Sequence, residues 1–160
     1  MKVRSALTLG LALLVLAPSA AWSAGRGGRF GMGYSRYPVV GDMATLRVSS
    51  YKWMAEGGFA FYDYGSSQIT FGGKVAVRPW EYNGIPVEMG GSFAIKTDGT
   101  FNDKFEPASL IELGFLIGFN TLVTENVEIG AGVYPLALGL GGAETAMYLF
   151  APVFNIHFLF

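Results

Sequence analysis

The sequence predicts an all-β chain: an eight-stranded antiparallel up-and-down transmembrane β-barrel preceded by a cleavable signal peptide. Three observations predict it. The 160 residues are 51% hydrophobic and only 14% charged, against about 25% charged in ordinary soluble domains. After residue 24 no apolar run approaches the roughly 18 residues of a spanning helix. Apolar side chains recur instead with a period of two, most plainly over Thr145–Phe160, which ends on an aromatic. A chain this apolar without spanning helices must hide its apolar side chains by alternation.

Met1-Lys2-Val3-Arg4, the apolar run Ala6–Ala17 and the small residues Pro18-Ser19-Ala20-Ala21 have the layout of a secretory signal peptide. Residues 1–24 are assigned to it, with cleavage between 21 and 24, and residues 25–160 to one barrel domain. A cut after Ala21 or Ser23 sets a small residue at the −3 position, whereas a cut after Ala24 sets Trp22 there. There is no cysteine, hence no lipid-attachment cysteine, disulfide framework or thiolate metal site. Without Lys2 and Arg4, nine of the 11 basic residues face 12 acidic ones, a net charge of −3 that predicts no nucleic-acid partner.

The predicted strands are Arg29–Ser35, Ala44–Tyr51, Trp53–Asp63, Ser67–Trp80, Pro86–Thr97, Ser109–Val123, Val127–Leu138 and Thr145–Phe160. Most are near or above the ~10 residues that cross a bilayer when tilted. Connections after the second, fourth and sixth strands are tight: Tyr51-Lys52, Glu81-Tyr82-Asn83-Gly84 and Thr124-Glu125-Asn126. Those after the first, third, fifth and seventh are mostly longer or richer in glycine and charge: Arg36–Met43, Tyr64–Ser66, Asp98–Ala108 and Gly139–Glu144. Short turns at one end and longer loops at the other, with an even strand count, put both termini at the turn end.

Each strand then sorts into two faces. One is apolar: Ile69, Phe71, Val75 and Val77 in the fourth strand, and Tyr148, Phe150, Pro152, Phe154, Ile156, Phe158 and Phe160 in the eighth. The other carries glycine, small residues and the mid-strand charges Arg47, Glu56, Lys74, Arg78, Glu88, Lys96, Glu112 and Glu128, with His157, Asn120 and Asn155. Four basic side chains facing hydrocarbon would cost ~2–4 kcal/mol each near the midplane. The charged face is therefore the lumen, which in an eight-stranded barrel is only wide enough for side chains to fill.

Simple hairpin geometry sets Arg47 opposite Glu56, Arg78 opposite Glu88, Lys96 opposite Glu112 and Glu128 opposite His157, with Lys74 beside Glu56. Opposite charges across an antiparallel pair attract. Pro79, Pro135 and Pro152 fall inside strands, where each removes a ladder donor and invites a bulge.

The first-strand motif Phe30-Gly31-Met32-Gly33-Tyr34, the charged lumen and the closing Phe154-x-Ile156-x-Phe158-x-Phe160 together resemble the small OmpA/OmpX-type outer-membrane barrel domains. The resemblance implies the outer membrane of a Gram-negative bacterium. It also implies contact with outer-membrane lipids and lipopolysaccharide, and insertion by the barrel-assembly machinery. Phe154, Ile156, Phe158 and Phe160 would be the C-terminal assembly signal. Such families include structural barrels, narrow pores, adhesins and lipid-modifying enzymes.

The residues favour a non-enzymatic, monomeric barrel with a structural or envelope-stabilising role, without cofactor or metal. Lumen charges also suit a narrow pore or small-ligand transporter. A lipid A-modifying enzyme ranks lower: His157 is the sole histidine, and no serine is expected beside it. A lipocalin-like soluble barrel would instead turn the apolar face inward. Tyr34, Tyr37, Trp53, Phe61, Tyr64, Trp80, Tyr82, Phe101, Phe158 and Phe160 are expected in interface girdles. Asp98–Ala108 is the longest and most polar loop, read as solvated.

Overall fold

The computed structural model describes residues 28–63, 67–99, 110–141 and 145–160. They form a closed antiparallel barrel in which each strand pairs with its sequence neighbours and the last with the first. The strands are β1 (Arg29–Tyr37), β2 (Gly41–Ser49), β3 (Trp53–Asp63), β4 (Ser67–Tyr82), β5 (Ile85–Gly99), β6 (Leu110–Thr124), β7 (Val127–Leu140) and β8 (Ala146–Leu159). There is no helix among the described residues. The expected signal peptide and its cleavage site, the Tyr64–Ser66 loop, and most of the Asp98–Ala108 and part of the Gly139–Glu144 loops lie outside them.

Alternation decides which way each side chain points. Arg47 and His157 are fully buried inside the barrel, while Val75 and Phe59 on the outer surface are 63% and 60% exposed. The apolar face is thus outside and the charged face inside, the reverse of a lipocalin-like arrangement. The outward-phase charges among the described side chains of the strands, Arg36 and Asp42, each lie one residue from a strand end.

The connections depart from expectation mainly at β1–β2. The strands run on through Tyr37 and Gly41, leaving the three-residue turn Pro38–Val40 instead of an Arg36–Met43 loop. Inward-facing Tyr37 and Met43 are buried and extend the alternation, and Gly41 takes the left-handed conformation (φ 95°) that ends the turn. Between β4 and β5, Asn83-Gly84 makes a two-residue turn with both φ positive (51° and 77°), which matches the right-handed strand twist.

Two of the three prolines shift the register. Arg78 and Pro79 together face Glu88, between the pairs Val77↔Met89 and Trp80↔Val87. Tyr134 and Pro135 together face Leu116, between Val133↔Ile117 and Leu136↔Phe115. This second bulge moves the inward phase of β7 from Tyr134 to Ala137, both fully buried. Phe150, in a left-handed conformation (φ 54°) where β8 passes Pro135, makes the same change in its own strand. Tyr148 consequently pairs with inward Ala137 and shares its face, not the apolar face predicted for it. Pro152 causes no shift. Phe160 donates to the Phe30 carbonyl, so even-numbered residues of lower β8 point their N–H toward β1. The β1 ladder has already ended at Ser35↔Asn155, and the missing donor removes no bond.

The β1–β8 seam is short, only five pairs from Gly31↔Leu159 to Ser35↔Asn155, and tightly packed. A Cβ at Gly33 would lie 2.7 Å from the His157 Cα and 2.9 Å from its ring Cδ2, whereas one at Gly57 would meet nothing within 4 Å. Gly33→Val should therefore destabilise the barrel by ~1–3 kcal/mol and Gly57→Val by much less. Thermal unfolding in detergent checks this; equal losses in the two variants would contradict it.

Candidate functional site

The lumen holds one connected polar network to which every strand contributes. Its hub is Arg47 on β2. Nε and Nη2 donate to Glu56 Oε2 on β3 (3.2 and 2.7 Å), and Nη1 donates to Asn120 Oδ1 on β6 (3.2 Å) and to Glu128 on β7. Glu56 also takes Lys74 Nζ of β4 at 3.3 Å and the Tyr37 hydroxyl of β1 at 3.4 Å. His157 Nε2 of β8 lies 3.3 Å from Glu56 Oε2 and 2.9 Å from Thr45 Oγ1. Toward the turn end, Arg78 donates to Glu88 Oε1 through Nε and Nη2 (2.9 and 2.7 Å) and to the Ser50 carbonyl (2.8 Å). Asn120 closes the circuit by donating Nδ2 to Glu88 on β5.

Three cations (Arg47, Lys74, Arg78) and three carboxylates (Glu56, Glu88, Glu128) balance within this circuit. The balance is required because a charge out of water is tolerated only when paired and hydrogen-bonded. Lys74 additionally sits 4.4 Å above the Tyr37 ring, a cation–π contact that supplements its single carboxylate. Glycines fit the circuit into a narrow barrel: Gly130 leaves the space occupied by the Asn120 and Asn155 amides.

Arg47 stands directly opposite Glu56, and Glu56 opposite Lys74. Glu128 is level with His157, yet their side chains go elsewhere: Glu128 to Arg47 and Arg78, His157 to Glu56 and Thr45. The Lys96–Glu112 pair does not form. Glu112 pairs with Ala94, and Lys96 with Leu110; among the described residues Lys96 has no ionic partner. The register is offset by two residues from the one a symmetrical loop centre implies, and Glu112 turns to the β1–β2 connection instead. Its Oε2 accepts the backbone N–H groups of Val39 and Val40 at 2.8 and 2.9 Å.

Tyr37 is fully buried and belongs to the network, not to an interface girdle. Its odd-numbered alternation with Gly31, Gly33 and Ser35 carries that signal. Tyr134 was equally visible as the next inward position after Gly132; it fills the lumen above the network with Leu116, Ala137 and Val153. The reach of Asn120 to two charged groups on different strands leaves no mark in a sequence pattern.

The geometry does not suit hydrolysis. A nucleophile–base–acid relay needs its hydroxyl and its carboxylate on different ring nitrogens. Thr45 and Glu56 both sit at His157 Nε2, and Nδ1 has no hydrogen-bond partner among the described residues. In the lumen, the cavity beside Lys74, Glu88, Asn120 and Asn155 measures about 10 Å³, near the minimum that holds one water. Outside the lumen, a 590 Å³ surface groove lies at the turn end between the Tyr51-Lys52 turn and the Trp80–Pro86 hairpin. There the Glu81 carboxylate accepts the Tyr51 hydroxyl and holds that phenol above its ordinary pKa.

No family model, curated protein or solved structure matches the chain.

Removing the hub leaves two buried carboxylates short of their main cation. Arg47→Ala should cost ~3–5 kcal/mol, and Lys96→Ala, outside the circuit, less than about 0.5 kcal/mol. Denaturant unfolding followed by tryptophan fluorescence distinguishes them; a hub variant as stable as the Lys96 variant would contradict the network's role.

Proposed function

We propose that this chain is an integral outer-membrane barrel with a structural, envelope-stabilising and non-enzymatic role, its turn end in the periplasm and its loop end outside. The observation that carries the structural reading is the lumen circuit joining all eight strands, with a cavity of about 10 Å³ beside it. A barrel filled in this way has no path for solute and gives no substrate access to His157.

The membrane setting is supported by the outer surface. Met32, Phe59, Val75, Phe93, Phe115 and Phe154 are all exposed there, and the outward charges of the described strands keep to the strand ends. In water that surface would be a large aggregation-prone patch; in a bilayer it is an ordinary hydrocarbon-facing belt. Phe30 and Phe160 lie with ring centroids 6.4 Å apart at the turn end, where aromatic girdles meet headgroups. Phe154, Ile156, Phe158 and Phe160 act as the assembly signal in this reading, and outer-membrane lipids and lipopolysaccharide are the surroundings of a monomeric barrel.

Two measurements test the proposal. Val75→Arg on the outer belt should lower folding stability in phospholipid vesicles by about 2–4 kcal/mol; a water-facing site would tolerate it, and an unchanged stability would remove the membrane reading. In planar bilayers the purified protein should give no steady unitary current. Reproducible single-channel steps from the unaltered chain would replace the structural role with the pore.

A further inference from the structure

We propose that the Pro38–Val40 turn is a lid, latched by the Glu112 carboxylate, over a blind polar recess that opens only toward the loop end. The inference goes beyond the structural role and does not depend on it.

The lid is built into the mouth of the barrel instead of projecting from it. Val40 is 3% exposed and packs with Tyr37, Met43 and Ala94, while Val39 packs on the cluster containing Tyr134 and Ala137. Gly139 makes room for it: a Cβ there would lie 2.8 Å from Val39 Cγ1. The polar hold on the turn comes from across the barrel. β6 shares no ladder with β1 or β2, yet Glu112 Oε2 accepts both turn amides. Two charge-assisted bonds to one oxygen are strong, and they are lost together if the carboxylate moves. The other oxygen, Oε1, has no hydrogen-bond partner among the described residues, so no further contact there fixes the carboxylate.

The ladder ends at Tyr37↔Gly41, so the turn moves without breaking a strand pair. Gly41, in its left-handed conformation with open space about its α-carbon, is the pivot. In the recess beneath the lid lie Lys74, Ser92 and Tyr134, all three buried, with the Ser92 and Tyr134 hydroxyls beside each other. Its floor is the Arg47–Glu56–Glu128 circuit, which is why it is blind. Opening exposes one ammonium, one carboxylate and hydroxyl groups to a small polar solute, and makes no channel.

The test uses single cysteines, since the chain has none of its own. Val40→Cys in the detergent-folded barrel is reacted with a small negatively charged thiosulfonate reagent. Labelling should be slow with Glu112 in place. It should rise at least about tenfold with Glu112→Ala, the equivalent of losing one hydrogen bond to a charged acceptor. Backbone hydrogen exchange in the unaltered protein gives an independent reading. The Val39 and Val40 amides should exchange faster than that of Leu46, which sits between two paired strands. Unchanged labelling in a folded Glu112→Ala barrel would overturn the lid, and so would exchange at Val39 and Val40 as slow as at Leu46, whether or not the Glu112 variant folds.

Discussion

The structure turns on the burial of Arg47. An eight-stranded barrel has an interior that side chains must fill, and this chain places a guanidinium at its centre with no exposed surface. A guanidinium has five N–H donors and never loses its charge. It is held only where acceptors converge from several directions, and here they come from β3, β6 and β7. That demand fixes much of the rest. Glu56 must be shared among Arg47, Lys74, Tyr37 and His157, and Asn120 must accept on one side and donate on the other. Glu128, level with His157, turns away toward the arginines.

A circuit of this kind has two consequences. The first is rigidity: no strand shifts without breaking a buried polar contact, and each such break leaves an uncompensated group in a low-dielectric interior. The second is a filled interior: the cavity beside the circuit measures only about 10 Å³. The proposed outer-membrane setting makes both consequences intelligible. There the outer belt gains from contact with hydrocarbon, and cohesion between strands comes from backbone ladders and the interior. Above the circuit the construction is looser. Glu112 and the Pro38–Val40 turn meet by a single carboxylate oxygen, and the sheet does not join them.

Much of this was legible in the sequence because it depends on parity alone. A period of two assigned inside and outside correctly for Lys74, Glu88, Glu112, Glu128 and His157, and hairpin counting set Arg47 opposite Glu56. Parity fails where the backbone inserts a residue. The Tyr134-Pro135 bulge and the left-handed Phe150 turned Tyr148 to the other face; the prolines marked such sites but not which of them would slip. Pro152 did not, because its nitrogen faces beyond the end of the β1 ladder, a fact set by strand length and not by local sequence. The Lys96–Glu112 expectation failed for a related reason: the centre of a long loop does not define its register. The tucked turn was least legible, since Pro-Val-Val between two strands does not say that a carboxylate four strands onward will take its amides.

The most direct test is a double-mutant cycle between Arg47 and Glu128, which sit on β2 and β7, strands that share no ladder. Arg47→Met, Glu128→Gln and the combination are compared by equilibrium unfolding in lipid or detergent. A circuit that closes the barrel predicts a coupling energy above about 1 kcal/mol, within the range seen for contacting members of one network. Losses that add to within roughly 0.5 kcal/mol, as independent sites do, would contradict it.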